Sequence, residues 1–178
     1  MRRTTCYLTL ALLVCGPVAF AEGVKDPLAG DPDLPNYFRF SPQIAMAGQP
    51  TPEGLRKVKD AGFKTILNLR TPREGSTEEA EPVEALGLSY INIPITPDSI
   101  TDEKVARFSD IVNDPANKPL LIHCASSNRV GGMWYIHRAM VDHLDEQQGI
   151  HEARKTGLRS PILEDIVIEY VREKSRQP

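Results

Sequence analysis

Pro119–Gly132 reads PLLIHCASSNRVGG, and this stretch decides the predicted fold. Its residues Leu120–Ile122 are continuously apolar, which is typical of a short strand buried on both faces of a sheet. A polar loop follows, and from Met133 onward apolar residues recur at helical spacing. The stretch therefore predicts a buried strand, a tight loop and the beginning of a helix.

The loop in this stretch combines the features of an anion-binding site with a nucleophile. A helix N-terminus presents unpaired backbone N–H groups and a partial positive charge, and Arg129 adds a full one. Cys124 lies at the entrance of the loop, where the same field favours a thiolate. A thiolate beside an anion site can attack phosphorus or carry sulfur. The alternative is that Cys124 is a buried strand cysteine without chemistry.

Predicted strands alternate with helices along the rest of the chain. Gln43–Ala47 is predicted to be a short edge strand, and Phe63–Leu69 and Leu88–Ile95 are predicted to be core strands. The fold class is therefore α/β, with a single three-layer domain in which helices flank a mostly parallel central sheet of about four to five strands. The loops that follow the two core strands are expected to gather around Cys124, because the carboxyl ends of parallel strands meet at one edge.

The N-terminal segment predicts export. Residues 1–21 contain Arg2 and Arg3, a short apolar centre and the small-x-small sequence Ala19–Ala21, as in secretory signal peptides. The protein is therefore predicted to be periplasmic or secreted, to be cut after Ala21, and not to stay inserted in a membrane. An uncleaved anchor and lipidation of Cys15 remain as alternatives. Residues 22–36 are predicted to be a flexible leader, and 37–178 the folded domain.

The composition of the chain argues against several classes of function. The chain of 178 residues has a net charge of −3 and lacks a basic stripe, which argues against a nucleic-acid partner. Cys6 and Cys15 lie in the predicted signal peptide, so Cys124 would be the only cysteine of the mature chain, without a disulfide or a dithiol redox cycle. The histidine spacing predicts no metal site and no cofactor is expected. The sequence does not indicate an oligomeric state.

The pair His123-Cys124 followed by Arg129 resembles the signature loop of cysteine-dependent phosphatases of the dual-specificity type. The similarity is greatest to bacterial phosphatase-like proteins that are often grouped with sulfurtransferases. Three further stretches agree with it, GQPTPE at 48–53, KTILNLR at 64–70 and YINIPI at 90–95. The resemblance covers residues 37–158. It implies a phosphatase fold, a phosphorylated substrate or other small anion, and a phosphocysteine intermediate.

The resemblance also implies roles for individual residues of the loop. Cys124 would be the nucleophile, Arg129 would bind the phosphoryl oxygens, and His123 would help to set the loop and the thiolate. The remaining substrate-binding groups would be the backbone amides of Ala125, Ser126, Ser127 and Asn128.

Two predicted roles lie outside the loop. Asp98 matches, by order and setting, the general acid of such phosphatases, with Asp102 as the reserve candidate; alternatively, Asp98 forms a turn after a proline. Arg70 is expected to support the anion site, or else to be a surface arginine paired with Glu74.

Departures from the phosphatase pattern keep two other functions open. Four residues separate Cys124 from Arg129, a spacing typical of rhodanese-type sulfurtransferases, whereas phosphatase loops usually have five. Val130 stands where phosphatases usually have a serine or threonine, and Ser127 where many relatives have glycine. The alternatives are therefore a sulfurtransferase that uses a Cys124 persulfide, and a non-catalytic anion-binding or interaction module.

Overall fold

A computed structural model describes residues 26–176 of the chain, so the predicted signal peptide lies outside the described residues. The strands are β1 (Phe38–Ser41), β2 (Ile44–Ala47), β3 (Thr65–Asn68), β4 (Ser89–Asn92) and β5 (Leu120–His123). The helices are α1 (Pro52–Asp60), α2 (Ser76–Ala85), α3 (Asp102–Asn113), α4 (Asn128–Met140), α5 (Glu146–Lys155) and α6 (Pro161–Arg176). Within 26–176, none of the helices has the length and apolar character needed to cross a membrane.

The five strands form one sheet in the order β1-β2-β5-β3-β4. Strand β1 runs antiparallel to β2, and the other three pairs are parallel. The predicted α/β fold with a mostly parallel sheet is therefore confirmed. The prediction of an edge strand at 43–47 is wrong, because β1 pairs with the outer side of β2 and β5 with its inner side.

Side chains alternate between the two faces of the sheet, and each face has its own apolar core. On one face, Ala45, Ile66 and Leu121 pack against α1 and α2. On the other face, the neighbouring residues of the same strands pack against α3, α4, α5 and α6. This period-two alternation decides to which helical layer each residue at the end of a strand is directed.

The described part of the leader is packed against the domain. Leu28 and Leu34 are buried among residues of α1 and β2. Lys57 of α1 holds Asp31 and Asp33, each at 2.8 Å. The prediction of a flexible leader over 22–36 is therefore corrected for residues 26–36, and the folded unit begins before residue 37.

Candidate active site

The end of β5 directs two consecutive side chains to opposite faces of the sheet. His123 has the same orientation as Leu121 and is directed to the layer of α1 and α2. Cys124 has the orientation of Ile122 and belongs to the core formed with α3 to α6, where it is fully buried. The predicted nucleophile and the preceding histidine thus belong to different surroundings, although they are adjacent in sequence.

Residues 124–129, named the signature loop from here on, connect β5 to α4. Ser127 is the N-cap residue of α4 and has φ 67°, in the left-handed region that suits glycine better than serine. No side chain caps α4. The backbone N–H groups of Asn128, Arg129 and Val130 therefore have no intrahelical acceptor and are available to an anion at this helix N-terminus.

The signature loop is fixed by the connection between α5 and α6. The buried Ser127 hydroxyl donates to the carbonyl of Thr156 at 2.8 Å. The Asn128 side-chain oxygen accepts from the backbone N–H groups of Arg159 and Ser160, at 2.7 and 3.1 Å. These three contacts hold a serine in a left-handed conformation that suits glycine better, and the connection over 156–160 thereby becomes part of the site.

Gly157→Ala is expected to destabilise the fold by about 3 kcal/mol or more and to lower activity, because it displaces the signature loop. Gly157 has φ 122°, and a Cβ there would lie 2.5 Å from the Cβ of Ser127. Denaturant unfolding measures the loss. Gly62→Ala is the matched control, since Gly62 also has a positive φ but no atom within 4 Å of an added Cβ. Equal losses in the two variants would contradict the argument from the loop contact.

Arg129 is held in place from three directions. Its Nη1 donates to Glu74 Oε2 at 2.8 Å and to the carbonyl of Ile95 at 3.0 Å, with a longer contact of 3.4 Å to the carbonyl of Leu69. Its Nη2 donates to Glu74 Oε1 at 2.6 Å. The segments after β3 and β4 therefore do meet at the signature loop, as the sequence predicted from parallel-strand order.

Within the described residues, these contacts leave one edge of the Arg129 guanidinium without a hydrogen-bond acceptor. A guanidinium has five N–H donors in a fixed plane, and the hydrogen bonds within residues 26–176 leave the Nε–H and one N–H of Nη2. Burial acts to lower the pKa of Arg129, but the hydrogen bond to Glu74 and the charge of a nearby Cys124 thiolate keep that pKa above its ordinary value. The free edge has the geometry that binds two oxygens of a phosphoryl group.

The Glu74–Arg129 pair persists into acid. The hydrogen bond from Arg129 lowers the pKa of Glu74 to about 2, with further donors from Thr71. Because this pKa is depressed on folding, the contribution of the pair to stability is present above the ordinary pKa of glutamate and is lost only as the pH falls toward about 2. The position of Arg129 is therefore insensitive to pH across the neutral range.

A second polar cluster lies on the other face of the sheet, next to the signature loop. Glu79 of α2 is buried, and its Oε1 lies 2.7 Å from His123 Nε2. Its Oε2 accepts from Gln49 Nε2 at 2.7 Å and from Arg70 Nη1 at 3.0 Å. Gln49, Arg70 and His123 extend from the carboxyl ends of the three central strands toward the same helix. Their convergence on one carboxylate follows from the alternation of the strands.

The structure corrects part of the prediction for Arg70. Its guanidinium contacts Gln49 and Glu79 and not Glu74, so the predicted surface pair with Glu74 is wrong. Glu74 binds Arg129 instead. Arg70 lies beside the signature loop as a support for the second cluster, and a direct contact with substrate stays a prediction.

The two candidates for the general acid are in different surroundings. Asp98 lies in the turn Pro97–Ser99, three residues after Ile95, whose carbonyl binds Arg129. The Thr96 hydroxyl donates to Asp98 at 2.6 Å and holds the pKa of that carboxyl below its ordinary value. In the conformation described, Asp98 is thus an exposed carboxylate. Asp102 is bound by Tyr170 and Lys174 of α6. The acid role of Asp98 stays a prediction, and its position favours it over Asp102.

The roles of Glu74 and Glu79 at the site were not predicted from the sequence. The acidic run of α2 reads as a solvated face, and Glu78, Glu81 and Glu84 are indeed exposed, whereas Glu79 is 8% exposed. The spacing of the buried residues Ser76, Glu79 and Val83 is helical, so an apolar-face analysis of α2 could have singled out Glu79. Within residues 26–176, no group of three potential metal ligands comes together.

The sequence matches a family of known proteins, and this match agrees with the geometry of the site. The sequence profile of the family described as "DSP-PTPase phosphatase fused to NAD+ Kinase" matches residues 40–164, which include both clusters. The chain belongs to this family. The family resemblance predicted from the signature loop is therefore confirmed, and with it the assignment to dual-specificity-type phosphatase domains.

Curated relatives share this domain within much longer chains. The β-lactamase hydrolase-like protein of Agrobacterium fabrum is 27% identical over 123 residues, which is 66% of this chain and 28% of the relative. The probable chloroplastic NAD kinase 2 of Oryza sativa subsp. japonica is 31% identical over 105 residues, which is 51% of this chain and 11% of the relative. The chain therefore spans about a quarter or less of the length of these relatives.

Solved structures show the same fold at low sequence identity. A putative phosphatase of Shewanella putrefaciens has a TM-score of 0.64 at 21% identity, covering 83% of this chain and 95% of that chain. TpbA of P. aeruginosa has a TM-score of 0.65 at 20% identity, covering 82% and 88%. The catalytic core of the PP-IP phosphatase SIW14 of S. cerevisiae, solved with citrate, has a TM-score of 0.64 at 20% identity, covering 80% and 93%.

Proposed function

We propose that the protein is a cysteine-dependent phosphatase that hydrolyses a phosphate monoester through a phosphocysteine intermediate. The observation that carries the proposal is the free edge of Arg129, a side chain that Glu74 and the carbonyl of Ile95 fix in the vicinity of Cys124. Together with the N–H groups at the start of α4, this edge forms a site for three phosphoryl oxygens above a thiol. Membership of the phosphatase family supports the same function.

The first step transfers the phosphoryl group to the enzyme. The Cys124 thiolate attacks phosphorus, a P–S bond forms, and the bond from phosphorus to the leaving oxygen breaks. Arg129 and the backbone amides of the signature loop take up the charge on the phosphoryl oxygens, without reorganisation, since both are already fixed. Asp98, once protonated, would donate its proton to the leaving oxygen.

The second step restores the thiolate. Water attacks phosphorus, the P–S bond breaks, and inorganic phosphate leaves. Asp98, now a carboxylate, would accept the proton of that water, which returns the acid to its starting state. Val130 is fully buried in the core and has no hydroxyl to assist the departing sulfur. The backbone N–H groups at the start of α4 are the remaining donors for that task.

A sulfurtransferase is the function that this proposal displaces. The four-residue spacing of the signature loop favoured it, but the matching family and the structural neighbours are phosphatases. The general acid proposed for phosphate transfer also has no task in persulfide chemistry.

Product analysis separates the two reactions. The reduced protein is given an aryl phosphate in one assay, and thiosulfate with cyanide in the other. Protein alkylated at its thiols serves as the blank in both. Release of phosphate that the alkylated protein does not show is the expected result. Thiocyanate without phosphate would overturn the proposal in favour of sulfur transfer. An aryl phosphate is the first choice because TpbA has been solved in complex with pTyr.

Asp98→Asn is expected to lower kcat about 10²-fold for an alkyl phosphate, and much less for a nitrophenyl phosphate. A poor leaving oxygen needs a proton in the transition state, whereas nitrophenolate departs without one. Steady-state rates with the two substrates measure the difference. Asp102→Asn is the comparison variant. A loss there, with Asp98→Asn unaffected, would assign the acid to Asp102.

The place of action is the second part of the proposal. We infer an exported enzyme from the signal-like residues 1–21, which have a charged start, a short apolar centre and a small-x-small end. Mass spectrometry of the protein recovered from a bacterial periplasm tests this inference. An N-terminus at Glu22 is the expected result, and an intact chain retained in the cytoplasm would contradict it.

A further inference from the structure

Glu79, which no motif of the sequence singles out, lies against the histidine that precedes the nucleophile. We propose that Glu79 is a positioning residue that keeps His123 in its cationic form, and that it favours the thiolate of Cys124 through His123. Glu79 lies on the far side of His123 from Cys124 and has no contact with a reacting atom. This inference rests on the proposed function for its catalytic meaning.

Hydrogen-bond donors decide the charge of Glu79. Its Oε2 faces two donors, Gln49 Nε2 and Arg70 Nη1, which both favour an ionised carboxylate. Burial acts to raise the pKa of Glu79, but its polar and charged neighbours, His123 first and then Gln49 and Arg70, keep that pKa below its ordinary value. A buried ionised carboxylate with two donors on one oxygen needs a third donor on the other.

The group that faces this oxygen is His123. Its Nε2 and the Oε1 of Glu79 lie 2.7 Å apart in an ion-pair contact that is not aligned as a hydrogen bond, and neither atom has a hydrogen-bond partner within residues 26–176. A proton must therefore lie on Nε2 for the contact to be favourable. The other ring nitrogen, Nδ1, lies 3.4 Å from the carbonyl oxygen of Cys124. A neutral ring would direct a lone pair at that oxygen, whereas the imidazolium directs an N–H at it.

The surrounding charges favour this arrangement. The titratable groups near Glu79 and His123 are Arg70 at the end of β3, Tyr90 of β4 and the signature-loop residues Cys124 and Arg129. Burial raises the pKa of Tyr90 to about 12, so it stays neutral. Arg70, Glu79 and a cationic His123 together carry one positive charge next to Cys124. Without Glu79 the buried Nε2 of His123 would have no carboxylate beside it, and a positive charge on the ring would be uncompensated.

The direction in which one substitution shifts the ionisation midpoint of Cys124 distinguishes this inference from a simple charge effect. Glu79→Gln removes a negative charge, which by direct electrostatics would make a nearby thiol ionise at lower pH. If Glu79 acts through His123, the same substitution removes a positive charge nearer to the sulfur, and Cys124 ionises at higher pH. The expected result is an upward shift of the ionisation midpoint by about one pH unit.

Ultraviolet absorbance of the thiolate measures this midpoint without any substrate. Each protein is compared with the same protein carrying Cys124→Ser, which subtracts Cys6 and Cys15. Glu81→Gln removes an exposed carboxylate from the same helix and is expected to leave the midpoint in place. Glu79→Asp retains the charge and is expected to leave the midpoint closer to that of the wild type than Glu79→Gln does. In a His123→Gln background, Glu79→Gln is expected to shift the midpoint no further upward.

Three results would overturn the inference. They are a downward shift in Glu79→Gln, an unchanged midpoint, and an upward shift that persists without His123. If Glu79→Gln does not fold, nitrogen NMR of the wild-type imidazole decides, because the inference requires a proton on both ring nitrogens at neutral pH. Failure of the proposed function can be distinguished from failure of this inference. A protein that releases no phosphate but shows the expected midpoints would refute phosphatase activity and support the role of Glu79.

Discussion

Cys124→Ser is expected to reduce phosphate release from an aryl phosphate on the order of 10⁴-fold or more. A serine hydroxyl is of nearly the same size as the thiol, but it stays protonated near neutral pH and is a weak nucleophile without an adjacent base. Arg129 and His123 offer no such base, since Arg129 is a cation and His123 is directed toward α2. Initial rates under identical conditions measure the loss.

The same variant tests whether the site is built to bind phosphate. Arg129 and the amides at the start of α4 are unchanged in Cys124→Ser, so equilibrium binding of phosphotyrosine is expected to persist. Its unfolding curve should match that of the wild type, because serine nearly conserves the volume of the buried cysteine. Residual activity above one part in a hundred would show that another residue attacks phosphorus, and would refute the assignment of the nucleophile.

Arg129→Lys is expected to lower kcat/KM about 10³-fold. The ammonium group keeps the charge but cannot form two parallel hydrogen bonds to phosphoryl oxygens while it also binds Glu74 and two carbonyls. The fork of Glu74 occupies both terminal nitrogens of Arg129, at 2.6 and 2.8 Å, so each of them has a defined position that lysine does not reproduce. The loss is measured as kcat and KM separately, and both should worsen.

Arg73→Lys is the matched control for this substitution. Arg73 is an exposed arginine next to Glu74, in the turn Pro72–Glu74, and it has no part in the fork on Arg129. Its conversion to lysine should change kcat/KM by less than about twofold. If Arg129→Lys stayed within threefold of the wild type, phosphate binding would rest on the backbone amides alone, and the free edge of Arg129 would not carry the proposed function.

The sheet could be predicted because its signals are local. Each core strand is a short apolar run between turn residues, and the alternation of strands and helices fixes parallel order. The position of β2 could not be predicted in this way, because only the pairing of Phe38–Ser41 with its outer side makes it an internal strand. The leader was mispredicted for a related reason. Its polar composition is typical of a mobile segment, but Lys57 and buried leucines hold it from a distance.

The same difference between local and distant signals applies to the candidate site. Cys124, Arg129 and the start of α4 are close in sequence, so their chemistry could be read directly from the loop. Glu74 and Glu79 contribute through contacts with residues 55 and 44 positions further along the chain, and a single carboxylate in a polar segment carries no sign of its partner. Such partners follow from the orientation of strand ends, which becomes visible only once the register of the sheet is known.

The contacts between the signature loop and residues 156–160 have a consequence for the order in which the enzyme becomes competent. A ribosome completes Ser127 and Asn128 before it adds the groups that hold them, which come 29 to 32 residues later. A nascent chain that already contains its nucleophile and its arginine therefore lacks a formed catalytic loop. Catalytic competence arises only when the connection between the last two helices has been synthesised and has docked, so an incomplete chain is an inactive one.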